Sequence, residues 1–238
     1  RTGRKHEMKA LTEKAHANGV LTVWDLAHSA GAVPVDLAGC RADFAVGCSY
    51  KYLNGGPGAP AFIYVAPRHA EQVRPALSGW LGHEAPFAFD LDYRPGNGID
   101  RMRVGTPPIL QLTALEAAMD IWDMADMETV RAKSIALCDL FITEVEKTCP
   151  QLELASPRDP AFRGSQVSFK FTYGYAAMQA RIGRGVIGDF RAPDIMRFGF
   201  TPLYIDAADV RAAADILEDV MKNRLWDDPA YQTRAAVT

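Results

Sequence analysis

Phe44-Ala45-Val46-Gly47-Cys48-Ser49-Tyr50-Lys51-Tyr52-Leu53-Asn54-Gly55-Gly56-Pro57-Gly58 decides the fold. With Asp43 in front, its first part is a short apolar run closed by a turn, which reads as a buried strand over 43–49. The glycine-rich segment 54–58 is a turn. It leads into a further strand at 61–65, Ala61-Phe62-Ile63-Tyr64-Val65. Upstream, Val20-Leu21-Thr22-Val23-Trp24-Asp25 reads as another buried strand that ends on a carboxylate. A helix is predicted over 4–18, with Met8, Leu11 and Ala15 on one face and Asn18-Gly19 as its stop. A short helix and a loop are expected between Asp25 and Gly39. Helices and strands alternating through short joints predict an α/β sheet, largely parallel.

The second half has a different rhythm. Helices are predicted over 109–123 and 126–148, the latter from the spacing of Val130, Leu137, Phe141 and Val145. A strand at 165–171, a short helix at 176–183 and a strand at 194–200 follow. Residues 207–225 read as a strongly amphipathic helix carrying Val210, Ala213, Ile216, Leu217 and Val220 on one side. Runs of helices with isolated strands predict a smaller α+β domain. The expected division is 1–108 for the sheet-bearing domain and 109–238 for the small domain with its linking helix, the change falling between 107 and 125. The Gly/Pro-rich stretch 78–108 has little periodicity, and no internal repeat or low-complexity segment is present.

Composition narrows the function classes. The 238 residues are 48% hydrophobic and 23% charged, which excludes disordered, collagenous and coiled-coil chains. A net charge of −3 argues against a nucleic-acid partner. The longest apolar run, around 59–66, contains Pro60 and is far below the ~18 residues of a membrane span. Cys40, Cys48, Cys138 and Cys149 form no CxxC pair and read as reduced thiols of a cytoplasmic protein. His6, His16, His69 and His83 have no metal-ligand spacing with any cysteine, so no metal is expected. Arg181-Ile182-Gly183-Arg184-Gly185 has the look of a phosphate loop but reads better as a helix end with glycine caps. The opening Arg1-Thr2-Gly3-Arg4-Lys5-His6 lacks both Met and the apolar core of a signal peptide. It reads as a processed terminus or as the edge of a piece of a longer protein.

Two positions carry chemistry together that neither carries alone. Lys51, directly after an apolar strand, is either a solvated strand-end lysine or a desolvated amine suited to imine formation. Asp25 is either a helix N-cap or a ligand carboxylate at the carboxyl end of a strand, where open α/β sheets place ligands, and His28 lies three residues on. In a parallel sheet both strand ends meet one edge. A carboxylate to keep a pyridine nitrogen protonated, with a lysine to hold an aldehyde carbon, is what a pyridoxal phosphate (PLP) enzyme requires.

The sequence resembles the kynureninases, members of the aspartate-aminotransferase-like (type I) PLP enzymes. The resemblance rests on Trp24 to Asp36 (Trp-Asp-Leu-Ala-His-Ser-Ala-Gly-Ala-Val-Pro-Val-Asp) and on Phe44 to Ala61. It also rests on Gly79-Trp80-Leu81-Gly82-His83, Gly105-Thr106-Pro107-Pro108-Ile109, Arg163-Gly164-Ser165-Gln166-Val167-Ser168 and Arg197-Phe198-Gly199-Phe200-Thr201-Pro202-Leu203-Tyr204. It implies a mixed, mostly parallel large-domain sheet, and hydrolysis of L-kynurenine to anthranilate and L-alanine in tryptophan catabolism. Lys51 is then the Schiff-base lysine and proton shuttle, and Asp25 the partner of the pyridinium nitrogen. His28 and Tyr50 line the cofactor pocket, with Tyr50 on the phosphate. Trp80 and Thr106 reach the phosphate of a neighbouring subunit's site in a homodimer. Arg197 clamps the carboxylate of the amino acid substrate. The form of Gly105-Thr106 favours kynurenine over its 3-hydroxy analogue.

Enzymes of this family are longer than 238 residues. The resemblance implies that their N-terminal part supplies the aromatic residue stacked on the cofactor and much of the phosphate cradle, so that this stretch alone is inactive. Two other readings remain. A cysteine desulfurase shares the aspartate and lysine but needs a reactive cysteine on a downstream loop, which Cys149, wedged between a helix and Pro150, matches poorly. A non-catalytic remnant would bind no cofactor.

Overall fold

The computed structural model describes residues 1–233. The chain divides into two compact units, one of Glu7–Gly31 and Val35–Met124, the other of Arg1–His6, Ala32–Pro34 and the residues from Ala125 onward.

In the first unit, helix α1 (Met8–Ala17) precedes strands β1 (Val23–Asp25), β2 (Phe44–Cys48) and β3 (Ala61–Val65), followed by the single turn α2 (Pro67–Ala70) and helix α3 (Ile109–Asp123). The sheet order is β1-β2-β3. β1 and β2 run parallel, from Val23 beside Phe44 to Asp25 beside Val46. β3 returns antiparallel on β2, from Phe44 beside Val65 to Cys48 beside Ala61, so the three strands form a mixed sheet with one pairing of each kind. Gly47 faces Phe62 across that pairing, and a Cβ there would stand 2.3 Å from the ring. Trp24 donates its indole N–H to Thr12 Oγ1 of α1 at 3.1 Å, which seats the helix on the strand.

Three expectations fail here, each for a local reason. The helix begins at residue 8 rather than 4, because Arg4 bridges Arg163 and Lys5 donates its N–H to the Phe162 carbonyl, which holds residues 4–5 extended. Residues 26–39 form successive turns and no helix, since Gly31 sits at φ +79° and Pro34 interrupts the run. β1 is not buried. Val23, Val46 and Ile63 share one sheet face and are 67%, 39% and 43% exposed.

The second unit holds helix α4 (Met127–Thr148), strands β4 (Glu153–Leu154) and β5 (Gln166–Lys170), helix α5 (Gly174–Ile182), strands β6 (Asp189–Arg191) and β7 (Ile195–Gly199), and helix α6 (Ala207–Lys222). Its sheet is wholly antiparallel, in the order β4-β5-β7-β6. Strand alternation gives the sheet two unlike faces. Val167, Phe169, Met196 and Phe198 are buried in a core with Phe141 and Val145 of α4, Met178 of α5 and Leu217 and Val220 of α6. Gln166, Ser168 and Arg197 take the polar face. Helix starts are marked chemically: Asp126 accepts from the Thr129 N–H, and Asp206 with Asp209 forms a reciprocal capping box on α6. β4 and β6, two and three residues long, are additions to the predicted set.

No described helix is long and apolar enough to cross a membrane. Among the described residues no group of three or more His, Cys, Asp or Glu side chains converges as a metal site.

Candidate functional site

Parallel pairing of β1 with β2 delivers both strand ends to one sheet edge. Asp25 is the last residue of β1, and its Oδ1 accepts the Ala27 N–H at 2.8 Å. Leu26 donates its N–H to the Val46 carbonyl at 2.7 Å, and the Ser29 and Ala30 amides both return to the Leu26 carbonyl. The turn that carries His28 is therefore built on the end of the ladder, with His28 exposed.

Lys51 follows β2 by three residues, in a loop fixed on several sides. Ser49 donates its hydroxyl to the Pro60 carbonyl at 2.5 Å, and Gly55 and Asn54 donate their amides to the Ser49 and Lys51 carbonyls at 2.9 Å. Trp122 of α3 donates its indole N–H to the Leu53 carbonyl at 3.2 Å. Asn54, at φ +60°, supplies the left-handed step of the turn. Gly31 presses on this loop: a Cβ at Gly31 would lie 2.7 Å from the Tyr52 carbonyl oxygen. The Asp25–Gly31 turn and the Lys51 loop are thus packed backbone to backbone.

Lys51 is half-buried, less enclosed than a desolvated amine. Its Nζ lies 5.4 Å from the Tyr50 ring centroid and makes no hydrogen bond or ion pair among the described residues. Tyr50 is itself exposed. Asp25, His28, Tyr50 and Lys51 therefore occupy one edge.

Trp80 and Thr106 stand together elsewhere in the same unit. Leu81 donates its amide to the Val104 carbonyl, and a Cβ on Gly105 would lie 3.8 Å from Trp80 Nε1. Trp80 and Thr106 are both exposed. His83 has a structural duty: its Nδ1 accepts the Ala85 N–H at 2.9 Å and its Nε2 lies 3.2 Å from the Asp92 carbonyl.

Arg197 belongs to the second unit. It projects from the polar face of β7, directly across from Asp189 on β6 and Ser168 on β5, and forms an ion pair with Asp189. Sequence reasoning missed Asp189. Its only signal is the alternation Asp189-Phe190-Arg191, too short to read as a strand.

The four cysteines are free thiols. Cys48, Cys138 and Cys149 are buried. Burial pushes the Cys138 thiol up to about 11 and raises Cys149 and Cys40 as well. Those three are the opposite of activated thiolates.

The kynureninase C-terminal domain family matches residues 130–217. Kynureninases of Burkholderia mallei and Pseudomonas fluorescens are 51% identical to the chain over 240 aligned positions, covering all of it. The chain matches the C-terminal part of kynureninases. It spans 58% of the length of these relatives. Among solved structures, a cysteine desulfurase from Thermococcus onnurineus NA1 superposes with a TM-score of 0.78 at 19% identity, over 93% of this chain and 57% of that one. A cysteine desulfurase from Escherichia coli gives 0.77 over the same shares, also at 19% identity. An enzyme crystallised with glycine covalently linked to its PLP cofactor gives 0.67 at 17% identity, over 80% of this chain and 49% of that one. These likenesses, all under 20% identical, show the fold, which is shared with those structures, and the kynureninase-like sequence is written on it.

Proposed function

We propose that this chain carries the lysine-bearing part of a PLP-dependent hydrolase that, with water, cleaves L-kynurenine to anthranilate and L-alanine, in a cytoplasmic homodimer. The observation that carries the reading is the placement of Asp25 at the end of β1 and of Lys51 in the loop that leaves the parallel β2 at the same sheet edge, in a chain 51% identical to kynureninases. The residues present fit the cofactor. A pyridinium nitrogen calls for a carboxylate, and Asp25 has Oδ1 engaged by one backbone amide and Oδ2 without a partner among the described residues. An aldehyde calls for an amine that is not tied up, and Lys51 is such an amine.

When bound, PLP supplies an electron sink for charge developing at the substrate Cα and Cβ. The roles assigned to the chain's residues in this reading are those that the resemblance implies. Asp25 holds a fixed negative charge beside the ring nitrogen. Lys51, on its pinned loop, takes the Cα proton and returns it. His28 and Tyr50 line the same edge, and Tyr50 would help to hold the phosphate. Arg197, steered by Asp189, binds the substrate α-carboxylate. Trp80 and Thr106 would serve the phosphate of a partner subunit's site. The desulfurase reading draws support from the fold neighbours alone, and the three buried thiols oppose it.

The test is Lys51→Ala in the full-length context. Borohydride should then trap no adduct, and anthranilate fluorescence should not grow when kynurenine is supplied. A borohydride-reducible adduct that persists in this variant overturns the assignment.

A further inference from the structure

Arg181, on the last turn of α5, points into the second unit and is wholly buried. Its guanidinium lies over the Phe198 ring, 4.4 Å from the centroid, and Nη2 donates to the Ala213 carbonyl at 3.0 Å. Among the described residues Nε and Nη1 have no partner, and no carboxylate pairs with the group. Burial without a counter-ion pushes the guanidinium down to about 9. A buried cation with open donors is costly unless an anion completes it.

The same three residues, Arg181, Phe198 and Ala213, line a cleft of about 430 Å³. Phe200, Ile187 and Tyr204 continue its wall, and the last two are 85% and 70% exposed, which puts the mouth at their side. Asp209 is the one acid on the lining, and its carboxylate is spent on the Asp206 N–H at 2.9 Å in the capping box of α6. The wall is otherwise aromatic and aliphatic. Phe198 and Arg197 point to opposite faces of the sheet, so this cleft is separate from the carboxylate clamp assigned to Arg197.

We propose that this cleft binds a small aromatic carboxylate, its charged end taken by Arg181 and its ring against Phe198 and Phe200. Aromatic walls select a planar ring, and a charge-assisted hydrogen bond in a dry site selects the anion over its neutral isostere.

Calorimetric titration of the protein with benzoate and with benzamide tests this. Benzoate should bind at one site per chain and benzamide at least about tenfold more weakly. Arg181→Met should lose benzoate binding by at least about tenfold while keeping its circular dichroism, and should melt higher, because an unpaired buried charge is gone. Should Arg181→Met not fold, Ile187→Trp, at an exposed position on the mouth, provides the second variant and should block benzoate without unfolding. The proposal is overturned by equal binding of benzamide, by no saturable benzoate binding, by benzoate affinity unchanged in the variants, or by a loss that appears in Arg197→Ala instead.

Discussion

Asp25 and Lys51 owe their positions to backbone hydrogen bonds, so each can be altered without loosening the loop that holds it. Asp25→Asn keeps an oxygen for the Ala27 N–H but carries no charge to hold a pyridinium proton. In the full-length context it should lower kcat by several orders of magnitude, with the circular dichroism unchanged. Near-normal turnover would make Asp25 merely structural. Arg197→Ala should act on binding, raising KM far more than it lowers kcat, because losing a charge-assisted contact in a largely buried place costs about 2–4 kcal/mol. An unchanged KM would place the substrate carboxylate elsewhere. Asp25 and Lys51 are legible in the sequence because strand ends are, and because a lysine and an aspartate following neighbouring parallel strands imply one edge. Arg197, in the middle of β7, is read only from the resemblance carried by residues 197–204. What orients Arg197 is not legible. Its partner, Asp189, is brought opposite by a pairing of three residues that no periodicity announces.

Elements are tied together by one carboxylate that the sequence does not advertise. Asp43, just ahead of β2, is buried and accepts from Thr22 N–H and Oγ1 before β1 and from Arg68 on α2, with His16 Nε2 of α1 and His69 Nε2 of α2 each 2.8 Å away. These contacts hold its carboxyl far below the usual carboxylate range, although burial alone would raise it. Because the folded value is depressed, the stabilisation is fully present above the unfolded value of about 4 and is lost as pH falls below it. Asp43→Ala should therefore cost about 2–4 kcal/mol in urea unfolding at neutral pH, with the gap from the parent closing below about pH 4. A constant gap down to about pH 2 would mean packing, not charge, sets the cost. Asp206→Ala, which removes the capping box of α6, should cost about 1 kcal/mol by the same measurement. α4 and α6 are readable beforehand because long helices repeat their apolar stripe many times. β4 and β6 repeat theirs once at most, and the turns of 26–39 mimic a helix in composition only.

For the whole molecule, the exposed face of the first sheet bears on what these 238 residues do alone. Val23, Val46 and Ile63 are open, and β1 has β2 as its one sheet neighbour among the described residues. The relatives are longer, the chain spanning 58% of them, and in the proposed reading Lys51 with Asp25 accounts only for the aldehyde carbon and the ring nitrogen of the cofactor. A phosphate ester draws much of its affinity from several charge-assisted donors, and neither Asp25 nor Lys51 supplies them. A polypeptide of these 238 residues should therefore bind PLP weakly, release no measurable anthranilate from kynurenine, and associate through the open strand edge. Titration with PLP followed by absorbance, an anthranilate fluorescence assay and light scattering check the three parts. Adding the unmatched portion of a relative's chain in trans should raise cofactor affinity and lower scattering together, because one covering segment serves both. Tight cofactor binding with clear turnover by the 238 residues alone would overturn the argument, and would mean that Tyr50, Trp80 and Thr106 hold the phosphate without further help.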